Sequence, residues 1–299
     1  MAGSAMERAG TERLAAPRLP ISHQGVTKGL LFLAAVLVAG AFVAPLAYAI
    51  LSSFKTPTQA NAAPPIFLPT TLSAQNYRTL ETFGSGALVY LRNSLVVTGL
   101  TIMGTLVLST LSGYGFSRYR FPGRTILFVV ILATMMIPFQ TVLVPLFVIL
   151  NQIHLTNSLV GLAAVYTTFQ LPFSVFVMRN AFDAVPTEIE EAARVDGCGT
   201  IEAIVRVMAP IAVPGMVTVV IFAFLAAWNE FIAALILLTQ GNNYTVPIML
   251  LSASSGPYGT IDWGLLQAGV TVAMVPAMVL FLALQRYYLE GLASGAVKL

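Results

Sequence analysis

Residues 191–214, EAARVDGCGTIEAIVRVMAPIAVP, form a polar island between two long apolar runs, Leu159–Met178 and Ile211–Leu238. The island is informative because of what surrounds it. The 299-residue chain is 57% hydrophobic and only 9% charged, with a mean hydropathy of +0.84, whereas a soluble domain carries about 25% charged residues. A chain of this composition is an integral membrane protein. Residues 191–214 then read as a loop between two spanning helices, and the fold as all-α.

Local chemistry predicts structure within that loop. Thr187 followed by Glu190, just after Pro186, has capping-box spacing and predicts a helix start. Ile189, Ala192 and Ala193 fall on one side of that helix, with Glu188, Glu191 and Arg194 mostly on the other. Gly197 is a natural stop, since glycine accepts the left-handed backbone at a helix C-terminus. Paired alanines let a helix lie close against another protein surface, where Glu191 and Asp196 can meet basic or donor groups. A second helix is expected from about Thr200, with Glu202 and Arg206 spaced for mutual support.

Measured against the roughly 20 residues a spanning helix needs, six segments qualify: Gly29–Leu51, Tyr90–Leu111, Ile126–Leu150, Leu159–Met178, Ile211–Leu238 and Leu265–Leu284. The first is too long for the apolar core of a signal peptide and follows a polar tail, so it reads as a retained helix. Twelve of the fifteen basic residues fall on the side of the termini and of the polar island; only Lys55, Arg78 and Arg92 fall on the other. By the positive-inside rule both termini and the island are cytoplasmic. Pro138, Pro145, Pro172, Pro214 and Pro276 lie in or at the edges of spans, where each removes a backbone hydrogen bond and favours a kink.

Glu-Ala-Ala at 191–193, Gly197 after three intervening residues, and the apolar-proline close at Ala209-Pro210 resemble the cytoplasmic signature loop of bacterial ABC importer permeases. PTEIEEAARVDG before the close and FLAAWNEF after it are similar to the sugar-importer branch, and so are PPIFLPTTLSAQNYRTL in the first external loop and the tail QRYYLEGLASGAVKL. Val207 and Ala209 stand where that family more often has Ile and Leu; both are apolar exchanges. The resemblance extends from about Ser52 to Lys298.

It implies a type I ABC importer permease-like fold in four parts. These are a cytoplasmic tail (1–28), the first transmembrane helix with its external loop (29–88), the transmembrane domain (89–286) with a coupling loop at 180–210, and a cytoplasmic tail (287–299). It also implies ATPase coupling through Glu190, Glu191, Ala192, Ala193, Asp196 and Gly197. The implied partners are a second permease subunit as a heterodimer, two ATPase subunits, an extracytoplasmic substrate-binding protein and the lipid of a bacterial plasma (inner) membrane. The implied substrate is a carbohydrate or related polyol.

No phosphate-binding GxxxxGK[ST] motif occurs, so ATP hydrolysis is expected in another chain and no catalytic residue is assigned here. One cysteine, Cys198, and two histidines, His23 and His154, make no metal-ligand pattern. No cofactor and no nucleic-acid partner is expected. The acidic side chain read as lying well inside a span is Glu230, beside Asn229. An ionisable group at that depth marks a functional position by default, and both residues are candidates for lining the pathway. Glu230 could instead bond a neighbouring helix, or relay protons in a self-contained proton-coupled secondary transporter. That second class would be supported by an inverted repeat, and none is evident.

Overall fold

The computed structural model describes residues 23–255 and 260–296. The readings made for the chain before His23 (including Arg8, Arg13 and Arg18), for Gly256–Gly259 and for residues 297–299 lie outside the described residues. The chain forms two units, one ending at Ala47 and the other beginning at Tyr48. Helix α1 (His23–Ser53) starts in the first and ends in the second. From Thr27 it is long and apolar enough to span a bilayer, and its sides show no polar face, as lipid-facing helices require.

Within the second unit follow α2 (Pro57–Ala60), α3 (Gln75–Thr82), α4 (Ala87–Arg118), α5 (Arg124–Ala133), α6 (Leu143–Gln152) and α7 (Leu159–Asp183). They are succeeded by α8 (Thr187–Val195), α9 (Thr200–Ala203), α10 (Ala209–Ile211), α11 (Val213–Trp228), α12 (Ile232–Leu237), α13 (Val246–Ser254) and α14 (Trp263–Ala296). There is no strand among the described residues.

Among the described residues, four helices meet the requirements of a span: Thr27–Ser53, Ala87–Arg118, Leu159–Asp183 and Trp263–Tyr287. The expected third span, 126–150, is not one rod: its two halves meet at 93°. Pro138 explains the break, since the residue before a proline is pushed out of the helical region, and Ile137 has φ −78° and ψ 118°. The expected fifth span, 211–238, is interrupted as well. The chain turns by 84° at Ala212, and α11 then ends at Trp228, leaving residues 229–231 non-helical before α12. Counting each bent pair as one span gives up to six.

The core is α4 laid along α7, with α11 against both. Small residues make that approach possible. Ser94, Thr98, Thr101, Thr105, Ser109 and Gly113 recur every three or four residues of α4, and all are buried. With no solvent-driven hydrophobic force between helices in lipid, close backbone contact through small side chains is what holds them. At Gly113 a Cβ would lie 2.6 Å from Met178 Cβ and 2.8 Å from the Arg179 nitrogen; at Gly215 it would lie 2.6 Å from Ala181 Cβ. The three helices therefore touch most closely near the 184–212 loop.

The opposite end is stitched by amides. Asn93 donates to the carbonyls of Asn242 and Tyr244, and Asn157 Oδ1 accepts from the nitrogens of Thr239 and Gln240. Buried Asn76 donates to the carbonyls of Ser53 and Lys55, satisfying buried acceptors at the C-terminal end of α1 and just beyond it. Asn61 meets Asp262, whose Oδ1 also accepts from the first amides of α14. The proline-rich segment 53–88 is thus no separate domain; it lies against the start of α14.

Candidate functional site

Two places collect the residues singled out by sequence, and they lie at opposite ends of α11. The first is the loop from Ala184 to Ala212. Its helix α8 begins at Thr187 as expected, but the capping box does not form. Pro186 occupies the cap position and no side-chain cap bond is made. Glu190 instead turns inward, 5% exposed. The Tyr114 hydroxyl donates to its Oε1 at 2.6 Å, Arg194 Nη2 donates to the same oxygen at 2.6 Å, and Arg118 Nε lies 2.9 Å from Oε2. Two cations and a hydroxyl outweigh a local cap that water could satisfy equally well. Hydrogen bonds that the Arg194 guanidinium donates to the Tyr114 hydroxyl oxygen and the Glu190 carboxylate hold it above its ordinary pKa, so it remains a cation.

That inward turn also corrects the expected faces. Glu190 and Ala193 are buried, while Ile189, Glu191, Ala192, Val195 and Asp196 are exposed. The outer surface of the loop is therefore mixed. Val195 is 86% exposed and Ile201 64% exposed, beside Glu191 and Asp196. Gly197 ends α8 with φ +87°, the Cys198 nitrogen bonding to the Ala193 carbonyl and the Gly197 nitrogen to the Arg194 carbonyl, a Schellman closure. A Cβ there would meet nothing within 4 Å. Replacing it with valine therefore strains only the backbone. Gly197→Val is expected to lower stability by about 1–2 kcal/mol, and Gly197→Asn by less, read as melting of the purified protein in detergent. Equal melting of all three would show that the left-handed turn is dispensable. Beyond the turn, α9 opens into a π turn over Ile204–Met208, and Glu202 pairs with Arg206 as expected.

The second place is the break between α11 and α12. Glu230 is not in the middle of a helix but at the start of one. Its Oε1 accepts from the Ala233 nitrogen at 2.9 Å, and its Oε2 accepts from the Ala234 nitrogen at 3.2 Å and from the Tyr166 hydroxyl at 2.6 Å. A carboxylate at a helix N-terminus satisfies amides that have no partner inside the helix. Asn229 is exposed, its amide folded back onto the Leu225 carbonyl. It lines a cleft of about 310 Å³ together with Trp228, Phe231, Pro247, Leu250 and Ala273. The two candidates are thus separated in role by geometry: Glu230 bonds a neighbouring helix and caps its own, and Asn229 faces open space.

Sequence reading did not single out Tyr114, Arg118 or Tyr166 as site residues. Tyr114 and Arg118 stand four apart at the end of α4, the spacing that puts two side chains on one helix face. That spacing was the available signal for a shared partner.

The model for binding-protein-dependent transport system inner membrane components matches residues 105–292, which include both places. The chain belongs to this family. Probable ABC transporter permease protein YurM of Bacillus subtilis is 34% identical over 279 residues, covering 92% of this chain and 89% of the relative. Diacetylchitobiose uptake system permease protein DasC of Streptomyces coelicolor is 32% identical over 265 residues, covering 89% and 95%. A chain from the crystal structure of a bacterial ABC transporter that imports the acidic polysaccharide alginate superposes with a TM-score of 0.76 at 19% identity, over 89% of this chain and 98% of that one; at that identity the likeness concerns the fold. The protein is a multi-pass membrane permease component of a binding-protein-dependent transport system.

Proposed function

We propose that this chain is the permease subunit of an ATP-driven importer for a carbohydrate or related polyol in a bacterial inner membrane, with α8 as the helix that meets the ATPase. Both termini and the 184–212 loop lie in the cytoplasm in this reading, as the distribution of basic residues requires. The observation that supports it best is the division of labour in α8. One face is anchored to the bundle through Glu190 and Ala193, and the other presents Glu191, Ala192, Val195 and Asp196 to a partner. Hydrolysis takes place in two separate ATPase subunits, a second permease completes the pathway as a heterodimer, and an external binding protein delivers substrate. The substrate class is supported by the names of relatives, diacetylchitobiose and arabinooligosaccharide permeases, and by a cleft that joins an amide to aromatic rings at Asn229, Trp228 and Phe231. Closure of the ATPases would displace α8, and the bundle would exchange inward-open for outward-open states.

Gentle detergent purification of the tagged protein from its own host tests this reading. An ATPase and a second permease are expected to co-purify. Glu191→Lys is expected to reduce the ATPase recovered by about tenfold, equivalent to ~1.4 kcal/mol, with the amount of permease in the membrane unchanged. A permease that purifies alone, or an ATPase yield indifferent to Glu191→Lys, would overturn the docking role of α8.

A further inference from the structure

Among the described residues, the side-chain polar contacts from α8 to a spanning helix converge on Tyr114 and Arg118 of α4: Glu190 meets both, and Arg194 bonds the Tyr114 hydroxyl beside it. Arg118 Nη2 also donates to the Val185 carbonyl at 2.7 Å, just before α8 begins. One residue before Tyr114, at Gly113, α4 is in backbone contact with α7, and α7 meets α11 at Gly215. A displacement of α8 thus has a short, charge-assisted route into the three helices of the core.

We propose that Glu190 is a positioning residue that joins α8 rigidly to the end of α4, so that movement of the loop is delivered to the α4–α7 pair and not absorbed where the two elements meet. This rests on α8 being the helix that meets the ATPase. The physical argument is stiffness. Charge-assisted bonds are short and roughly twice as strong as neutral ones, and this buried carboxylate takes a hydroxyl hydrogen bond and an ion pair from α4, with Arg194 of its own helix bonded to it as well. A packed contact through Ala193 alone would allow α8 to slide. The π turn at 204–208, with its looser hydrogen bonding, follows on the far side of the loop. Motion is therefore transmitted on the α4 side and accommodated on the α11 side.

The test uses the complete complex purified from its host, with spin labels at Leu100→Cys in α4 and Glu188→Cys in α8 and with Cys198→Ser. Both labelled positions are exposed. Leu100 stands fourteen residues before Tyr114, ~21 Å along a helix axis, so the pair suits double electron–electron resonance. With Glu190 in place, one narrow distance is expected, the same before and after trapping with Mg·ATP and vanadate. With Glu190→Gln, which gives up the charge but keeps the shape, about a twofold broadening is expected on trapping, since the ion pairs with Arg118 and Arg194 are lost. Unchanged width in Glu190→Gln, or a distance that shifts on trapping with Glu190 present, would overturn the proposal. Where Glu190→Gln does not assemble, Tyr114→Phe removes one donor and leaves both arginines. Broadening in that variant supports the joint, and its absence overturns it. Glu191→Lys serves as the separate control: retention of the ATPase there would sink the docking reading itself, whatever the labels show.

Discussion

Gly113→Ala is expected to be a severely damaging single-methyl change, lowering stability by about 1–3 kcal/mol as an overpacked core does and cutting the amount of folded protein in the membrane. The added carbon would lie 2.6 Å from Met178 Cβ and under 3 Å from backbone atoms of Met178 and Arg179. Backbone cannot rotate away as a side-chain tip can, so α4 and α7 must separate. The separation would also open the level at which Tyr114 and Arg118 reach Glu190. Gly115→Ala, two residues along the same helix, is the internal comparison, for a Cβ there meets nothing within 4 Å. Helix propensity favours that change by up to ~1 kcal/mol. Detergent melting and membrane yield of the two variants side by side decide the matter. Equal behaviour of Gly113→Ala and Gly115→Ala would mean that α4 and α7 are not in close contact there.

Glu230→Ala is expected to cost about 3 kcal/mol, combining a lost cap of ~1 kcal/mol with a hydroxyl left unpaired at roughly 1–3 kcal/mol. Tyr166 is buried, 5% exposed, and its hydroxyl has the Glu230 carboxylate as its partner. The amides of Ala233 and Ala234 would lose their acceptor at the same time. Glu230→Gln keeps an acceptor oxygen and should cost less. Tyr166→Phe should cost least, about 1 kcal/mol, because the carboxylate retains both amides. The expected order in melting temperature is Tyr166→Phe, then Glu230→Gln, then Glu230→Ala as the lowest. Glu230→Ala melting with the parent protein would remove the capping role and return Glu230 to the pathway. Asn229→Ala is the contrasting change: its amide bonds the Leu225 carbonyl at the end of α11, so any effect on uptake would come from the cleft it lines.

The amino-acid sequence alone determined class, loop and approximate spans. Composition demands a membrane, apolar length marks the helices, and the Glu-Ala-Ala run with Gly197 marks a short helix outside them that stops where a left-handed residue permits it. These are local properties, readable wherever a segment's own chemistry decides its state. Other features were decided by distant residues. Glu190 looked like half of a capping box and proved to be the partner of Tyr114 and Arg118, over seventy residues earlier in the chain. Glu230 read as a charge within a span, although the helix stops before it and restarts on its carboxylate, with Tyr166 supplied from α7. Likewise Pro138 announced a kink, and a 93° turn came of it. Glu190 shows the physical reason, for there a strong polar group had a local option and a tertiary one. Away from water the tertiary option prevails, because an unpaired buried charge or hydroxyl costs more than a forgone cap at an exposed helix end.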